Sequence, residues 1–123
     1  MSSIQETQIQ KNISFNTSKI EKLIQKYPDK VPIFVNVNPN SKNRLELYKN
    51  KYLVPRDLNS SLFLQILKKK TNIDKNDSLY IFIKNNKETI MLNLTLTCGE
   101  IYNQYLNEDK CLHLMLCKEN VFG

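Results

Sequence analysis

Two stretches of this chain carry residue types arranged for chemistry, and neither looks like an enzyme. The first is the end, Glu119-Asn120-Val121-Phe122-Gly123, which closes on one of only two glycines in 123 residues. A terminal glycine leaves its carboxylate unobstructed: with no side chain it threads a narrow active site, and its acyl carbon is open to attack. The second is Lys49-Asn50-Lys51-Tyr52-Leu53-Val54-Pro55. Its aromatic and branched centre favours a pleated strand, while lysines precede it and a proline ends it. Those are the guards of an edge strand, which stays able to accept one chosen extended peptide.

Other reactive types do not converge. His113 is the single histidine and sits among hydrophobic neighbours. Cys98 lies near a predicted helix start, where a thiolate is favoured in principle, but no histidine stands near it in sequence. The cysteines and the histidine lack the paired spacing of a metal site, and with Gly99 and Gly123 as the only glycines there is no phosphate loop. No catalytic residue, metal or cofactor is expected. Cys111 and Cys117, if on one strand, stand about 20 Å apart at roughly 3.3 Å per residue, beyond disulfide reach. A reducing compartment is therefore expected for the three cysteines.

The length suits one domain. A formal charge of +6, from 18 basic against 12 acidic residues, favours acidic partners without choosing among them. Nucleic acid is the rival partner class, since tyrosines and phenylalanines could stack bases, but the lysines are scattered and no recognition motif is found. Residues 1–10 are polar, without the apolar core of a signal peptide, and no run approaches a membrane span. Membrane residence is thus expected only through attachment.

The elements that must position these stretches follow from periodicity. Ile4, Ile9 and Ile13 suggest a short helix over residues 2–14. Thr17 or Ser18 caps a second helix carrying Ile20, Leu23, Ile24 and Tyr27, closed by Pro28. Residues 31–37 read as a strand with Ile33, Val35 and Val37 alternating, and Leu45, Leu47 and the Tyr52 segment as its hairpin partner. Asn59 or Ser60 caps a helix with Leu62, Phe63, Ile66 and Leu67 inward, and Lys68, Lys69 and Lys70 suit its last turn. Residues 78–84 read as a strand expected to be covered on both faces, 89–96 as a short strand plus loop, and Thr97 or Cys98 as the start of a brief helix. A last strand over 111–117 points Leu112, Leu114 and Leu116 one way and Cys111, His113, Met115 and Cys117 the other. This order predicts an α+β fold, a ubiquitin-like β-grasp with two additional N-terminal helices. Residues 1–28 form the helical extension, 29–117 the core and 118–123 the tail.

Three blocks then carry a resemblance. Lys26-Tyr27-Pro28-Asp29-Lys30-Val31-Pro32, Lys51-Tyr52-Leu53-Val54-Pro55 with Asp57-Leu58, and Glu119 to Gly123 are similar, in order and spacing, to the autophagy ubiquitin-like modifiers of the GABARAP and light chain 3 group. The resemblance covers residues 17–123. It implies that Gly123 is activated by an E1-like enzyme, passed to an E2-like enzyme and joined to phosphatidylethanolamine. The protein would be cytoplasmic when free and anchored on autophagosomes or a related membrane when lipidated. It also implies a groove along the second strand for partners bearing an acidic aromatic-x-x-aliphatic motif. By matching positions the first pocket uses Lys19, Leu23, Pro32, Phe34, Lys51, Leu53 and Cys111. The second uses Tyr52, Val54, Pro55, Leu58, Phe63 and Ile66, with Lys30, Lys49 and Lys70 around the groove. A β-grasp adaptor without conjugation would share the groove but not the need for Gly123. The chain departs from the family in three ways. Ile13 or Phe15 stands for an anchoring aromatic, residues 86–99 run longer without a proline pair, and Cys111 replaces a bulky aromatic of the first pocket.

Overall fold

A computed structural model describes residues 17–38, 45–85 and 88–120. The helix expected over residues 2–14, the turn at 39–44 and Gly123 itself lie outside them. The described elements are α1 (Thr17–Lys26), β1 (Lys30–Val37), β2 (Lys51–Pro55), α2 (Ser60–Lys69), β3 (Asp77–Lys84), β4 (Thr89–Met91), α3 (Cys98–Tyr105) and β5 (Leu112–Asn120). The sheet order is β2-β1-β5-β3-β4. β1 runs parallel to β5 and antiparallel to β2, and β3 is antiparallel to β5 and β4. The parallel central pair forces the long crossover in which α2 and β3 lie.

The core fills one face of this sheet. Val31, Ile33 and Val35 meet Leu112, Leu114 and Leu116 of β5, Phe63, Leu64 and Leu67 of α2, and Ile101 and Tyr102 of α3. Alternation along β5 holds as expected: the three leucines are buried, and His113 and Met115 are half-buried on the other face. Asn59 caps α2 by accepting from the Ser61 N–H at 2.8 Å, and Thr97 with Glu100 forms a capping box on α3. The two helix starts are laced together, since Leu58 O accepts from Cys98 N–H and Leu96 O from Ser60 N–H.

Several expectations are corrected. β2 is confined to Lys51–Pro55. The ladder with β1 ends at Phe34–Lys51, where the Asn50 side chain takes the next carbonyl, Val35 O. Leu45 drops into the core and Leu47 bridges to Thr71. On α2 the inward row is Ser60, Phe63, Leu64 and Leu67, with Leu62 at 56% and Ile66 at 39% exposure. The strand covered on both faces is β1, buried from Val31 through Val35 because α1 lies over its outer face. β3 buries only Leu79, Ile81 and Ile83, and Tyr80 is exposed. β5 continues to Asn120 by pairing with Asp77–Leu79, so the paired core extends three residues into the segment read as tail. The three cysteines are free thiols.

Candidate peptide groove

β2 is a terminal strand of the sheet, with β1 as its sheet neighbour among the described residues. Along it the side chains alternate: Tyr52 and Val54 point into the core, whereas Lys51, Leu53 and Pro55 are more open. α1 lies across the outer face of β1 with Ile20 fully buried and Leu23, one turn on, 37% exposed. Between α1 and β2 opens a cavity of ≈ 280 Å³ lined by Ile20, Leu23, Pro32, Ile33, Lys49, Lys51, Tyr52, Leu53 and Cys111. Cys111 is 1% exposed, and its thiol donates to Pro32 O at 3.5 Å. Burial, with a smaller push from the Asp109 charge, drives that thiol up to about 12. It is a neutral, small wall atom at neutral pH rather than a nucleophile. Burial likewise drives Cys98 up to about 11.

The lining is apolar and its rim is cationic. Lys49 Nζ sits 5.1 Å from the Tyr52 ring centroid, and the Tyr52 hydroxyl donates to Lys49 O at 2.8 Å, which holds the ring and the backbone before β2 together. Burial raises the Tyr52 phenol. That ring meets Phe63 edge-on at 5.4 Å. The arrangement can seat one apolar side chain beside a strand edge and attract negative charge next to it.

Five of the seven residues assigned to the first pocket, Leu23, Pro32, Lys51, Leu53 and Cys111, line this cavity. Lys19 is exposed on α1 outside the lining, and Phe34 is buried against the His113 ring at 5.7 Å. Ile20 and Ile33 join the lining without having been assigned to it. Ile20 was within reach of sequence reasoning, because residues three apart share a helix face. Of the second set, Val54 and Phe63 are core residues, Leu58 packs against the core, Pro55 and Ile66 are exposed, and Tyr52 borders the first cavity instead. The lysines spread out: Lys49 is on the rim, Lys30 opposes Pro55 with its Nζ over the Tyr27 ring, and Lys70 caps α2.

A five-stranded mixed sheet, parallel at its centre and carrying a crossover helix on one face, is the architecture of a ubiquitin-like β-grasp protein, here with an added helix roofing an edge-strand cavity. A family model described as "Autophagy protein Atg8 ubiquitin like" matches residues 16–123. The chain belongs to that Atg8 family. It is 31% identical over 101 residues to "Autophagy-related protein 8h" of Arabidopsis thaliana, covering 82% of this chain and 81% of the relative. The crystal structure of Trypanosoma brucei ATG8 superposes with a TM-score of 0.72 at 28% identity, covering 90% of this chain and 95% of that one. The protein is accordingly a ubiquitin-like autophagy protein. Among the described residues no helix is long and apolar enough to cross a membrane.

Proposed function

We propose that this chain is a modifier conjugated through the Gly123 carboxylate to phosphatidylethanolamine, and that its β2 edge then recruits partners bearing acidic aromatic-x-x-aliphatic motifs. The observation that carries the reading is the apolar cavity opening beside a terminal strand. A partner strand hydrogen-bonded along β2 would place its aromatic side chain between Leu23 and Leu53 above Cys111. Three residues on, its aliphatic side chain would rest near Pro55, Leu58 and Ile66, over the floor made by Val54 and Phe63. Lys49 and Lys51 draw the acidic flank.

Conjugation follows acyl-transfer chemistry. The carboxylate attacks the α-phosphate of ATP, releasing pyrophosphate and forming an adenylate. An enzyme cysteine thiol displaces AMP to form a thioester, a second cysteine takes the acyl group by thioester exchange, and the lipid amine displaces that last thiol to form an amide. The acceptor carries two acyl chains, which is what stable anchoring requires. In this reading the chain is substrate and marker rather than catalyst, its partners are the activating and conjugating enzymes and motif-bearing receptors, and its membrane is the autophagosome's.

Mass spectrometry of the membrane-bound protein is expected to find the lipid amide on Gly123, and Gly123→Ala to abolish the adduct while the fold persists. A lipidated Gly123→Ala protein would overturn the acyl-donor assignment and leave the unconjugated adaptor. For the groove, titrating an acidic tryptophan-x-x-leucine peptide is expected to shift NMR resonances of residues 51–55; no shift there sinks the groove.

A further inference from the structure

We propose that Arg56 is a positioning residue for the groove, one side chain that ties the wall carried by α1 to the wall at Cys111, which the turn before β5 presents. The inference rests on the groove reading above. Arg56 follows β2 directly and is half-buried. Its Nε donates to Pro28 O at 3.1 Å, in the turn that ends α1. Its Nη1 donates to Asn103 Oδ1 at 3.2 Å, and its guanidinium lies 5.6 Å from the Tyr102 ring centroid, both on α3. Backbone bonds anchor the base of this side chain: Arg56 N–H donates to Asp29 O at 2.9 Å and Gly99 N–H to Arg56 O at 2.8 Å.

From α3 the connection reaches the cavity. The Tyr102 hydroxyl donates to Lys110 O at 2.6 Å, and Lys110, at φ 67°, makes the tight turn that presents Cys111. On the other side, among residues 18–26 of α1 Ile20 is the fully buried side chain, while Leu23, Gln25 and Lys26 are exposed and Ile24 is half-buried. A turn bonded at Pro28 O therefore bears on how closely Leu23 stands to Leu53. The geometry calls for arginine specifically, because a planar fork sends two N–H groups to acceptors on different elements, whereas a lysine offers one nitrogen.

The test pairs hydrogen exchange with peptide kinetics on the whole chain, comparing wild type, Arg56→Ala, Arg56→Lys and Asn103→Ala. Losing hydrogen bonds from a charged donor is expected to raise exchange of amides 23–27 about three- to tenfold, with β5 amides unchanged. Arg56→Lys, which keeps the charge, should restore little of it, and Asn103→Ala should give a smaller rise. Dissociation of an acidic tryptophan-x-x-leucine peptide should quicken by a similar factor with association unchanged. Unchanged α1 exchange in both Arg56→Ala and Asn103→Ala, or a rise shared equally by β5, overturns the clamp. If Arg56→Ala does not fold, Asn103→Ala decides alone. If wild type does not bind the peptide, the groove reading falls, and α1 exchange still tests whether Arg56 holds that helix.

Discussion

Leu23 and Ile20 sit one turn apart on α1 and border the same cavity, yet truncating them should fail in different ways. Leu23 is 37% exposed in the free protein and Ile20 2%. Fully burying a leucine is worth about 1.5–3 kcal/mol, so covering the remaining third or so of Leu23 under a bound peptide gains about 0.6–1.1 kcal/mol. Leu23→Ala, in which alanine keeps the helix, is therefore expected to weaken an acidic tryptophan-x-x-leucine peptide by about three- to sevenfold, and to cost about 1–2 kcal/mol of stability for the part of the side chain already covered. Ile20→Ala instead removes a buried anchor. It should cost roughly 2–5 kcal/mol of the packing that holds α1, seen as faster α1 hydrogen exchange and a lower urea midpoint. Calorimetric titration and urea unfolding of both variants separate the effects. Equal peptide affinity for folded Leu23→Ala and wild type would refute the claim that this open third of Leu23 is the contact surface.

Two further outcomes follow from packing and burial. A Cβ on Gly99 would lie 2.9 Å from both Arg56 Cβ and Arg56 O, and backbone cannot step aside. Overpacking of about 1–3 kcal/mol outweighs the helix gain of roughly 0.5–1 kcal/mol for alanine. Gly99→Ala should thus lower stability by up to about 2.5 kcal/mol in urea unfolding, and a raised midpoint would count against the close approach. The buried thiols set an alkaline limit. Cys98 is pushed up to about 11 and Cys111 to about 12, so the unfolded chain releases these protons at lower pH than the folded one. Stability is then flat below about pH 8.5 and falls as pH rises above it, by up to about 1.4 kcal/mol per pH unit for each thiol. Replacing both cysteines by alanine should flatten that slope; an identical slope would show that other groups cause it.

Much of the fold was legible because local rules and tertiary packing agree. Asn59 and Thr97 stand before apolar helical rows, Pro28 closes α1, and β5 alternates cleanly because the core covers only its leucine face. The failures lie where a neighbour supplies the burial. Val31 to Val35 is an unbroken apolar run, as suits a strand covered on both faces, but it does not say that α1 supplies the cover, and nothing in residues 78–84 says that the second face of β3 stays partly open. Leu62 and Ile66 are as apolar as Phe63 and Leu67, and only the sheet's position decides which row turns inward. The short β2 was missed because Leu45 and Leu47 suit a strand; the Asn50 side chain bonding Val35 O ends the ladder first.

By itself the sequence determined that residues 49–55 would hold a guarded edge and that three helices could be placed between Thr17 and Tyr105. Only the tertiary structure decided that this edge borders a cavity. Parallel pairing of β1 with β5 carries Cys111 next to Pro32 across 79 positions, and α1 folds back to set Ile20 and Leu23 above them. Side-chain pattern along one element reports which way each residue faces. The space between elements depends on pairings that are distant in the chain, and no local pattern encodes it.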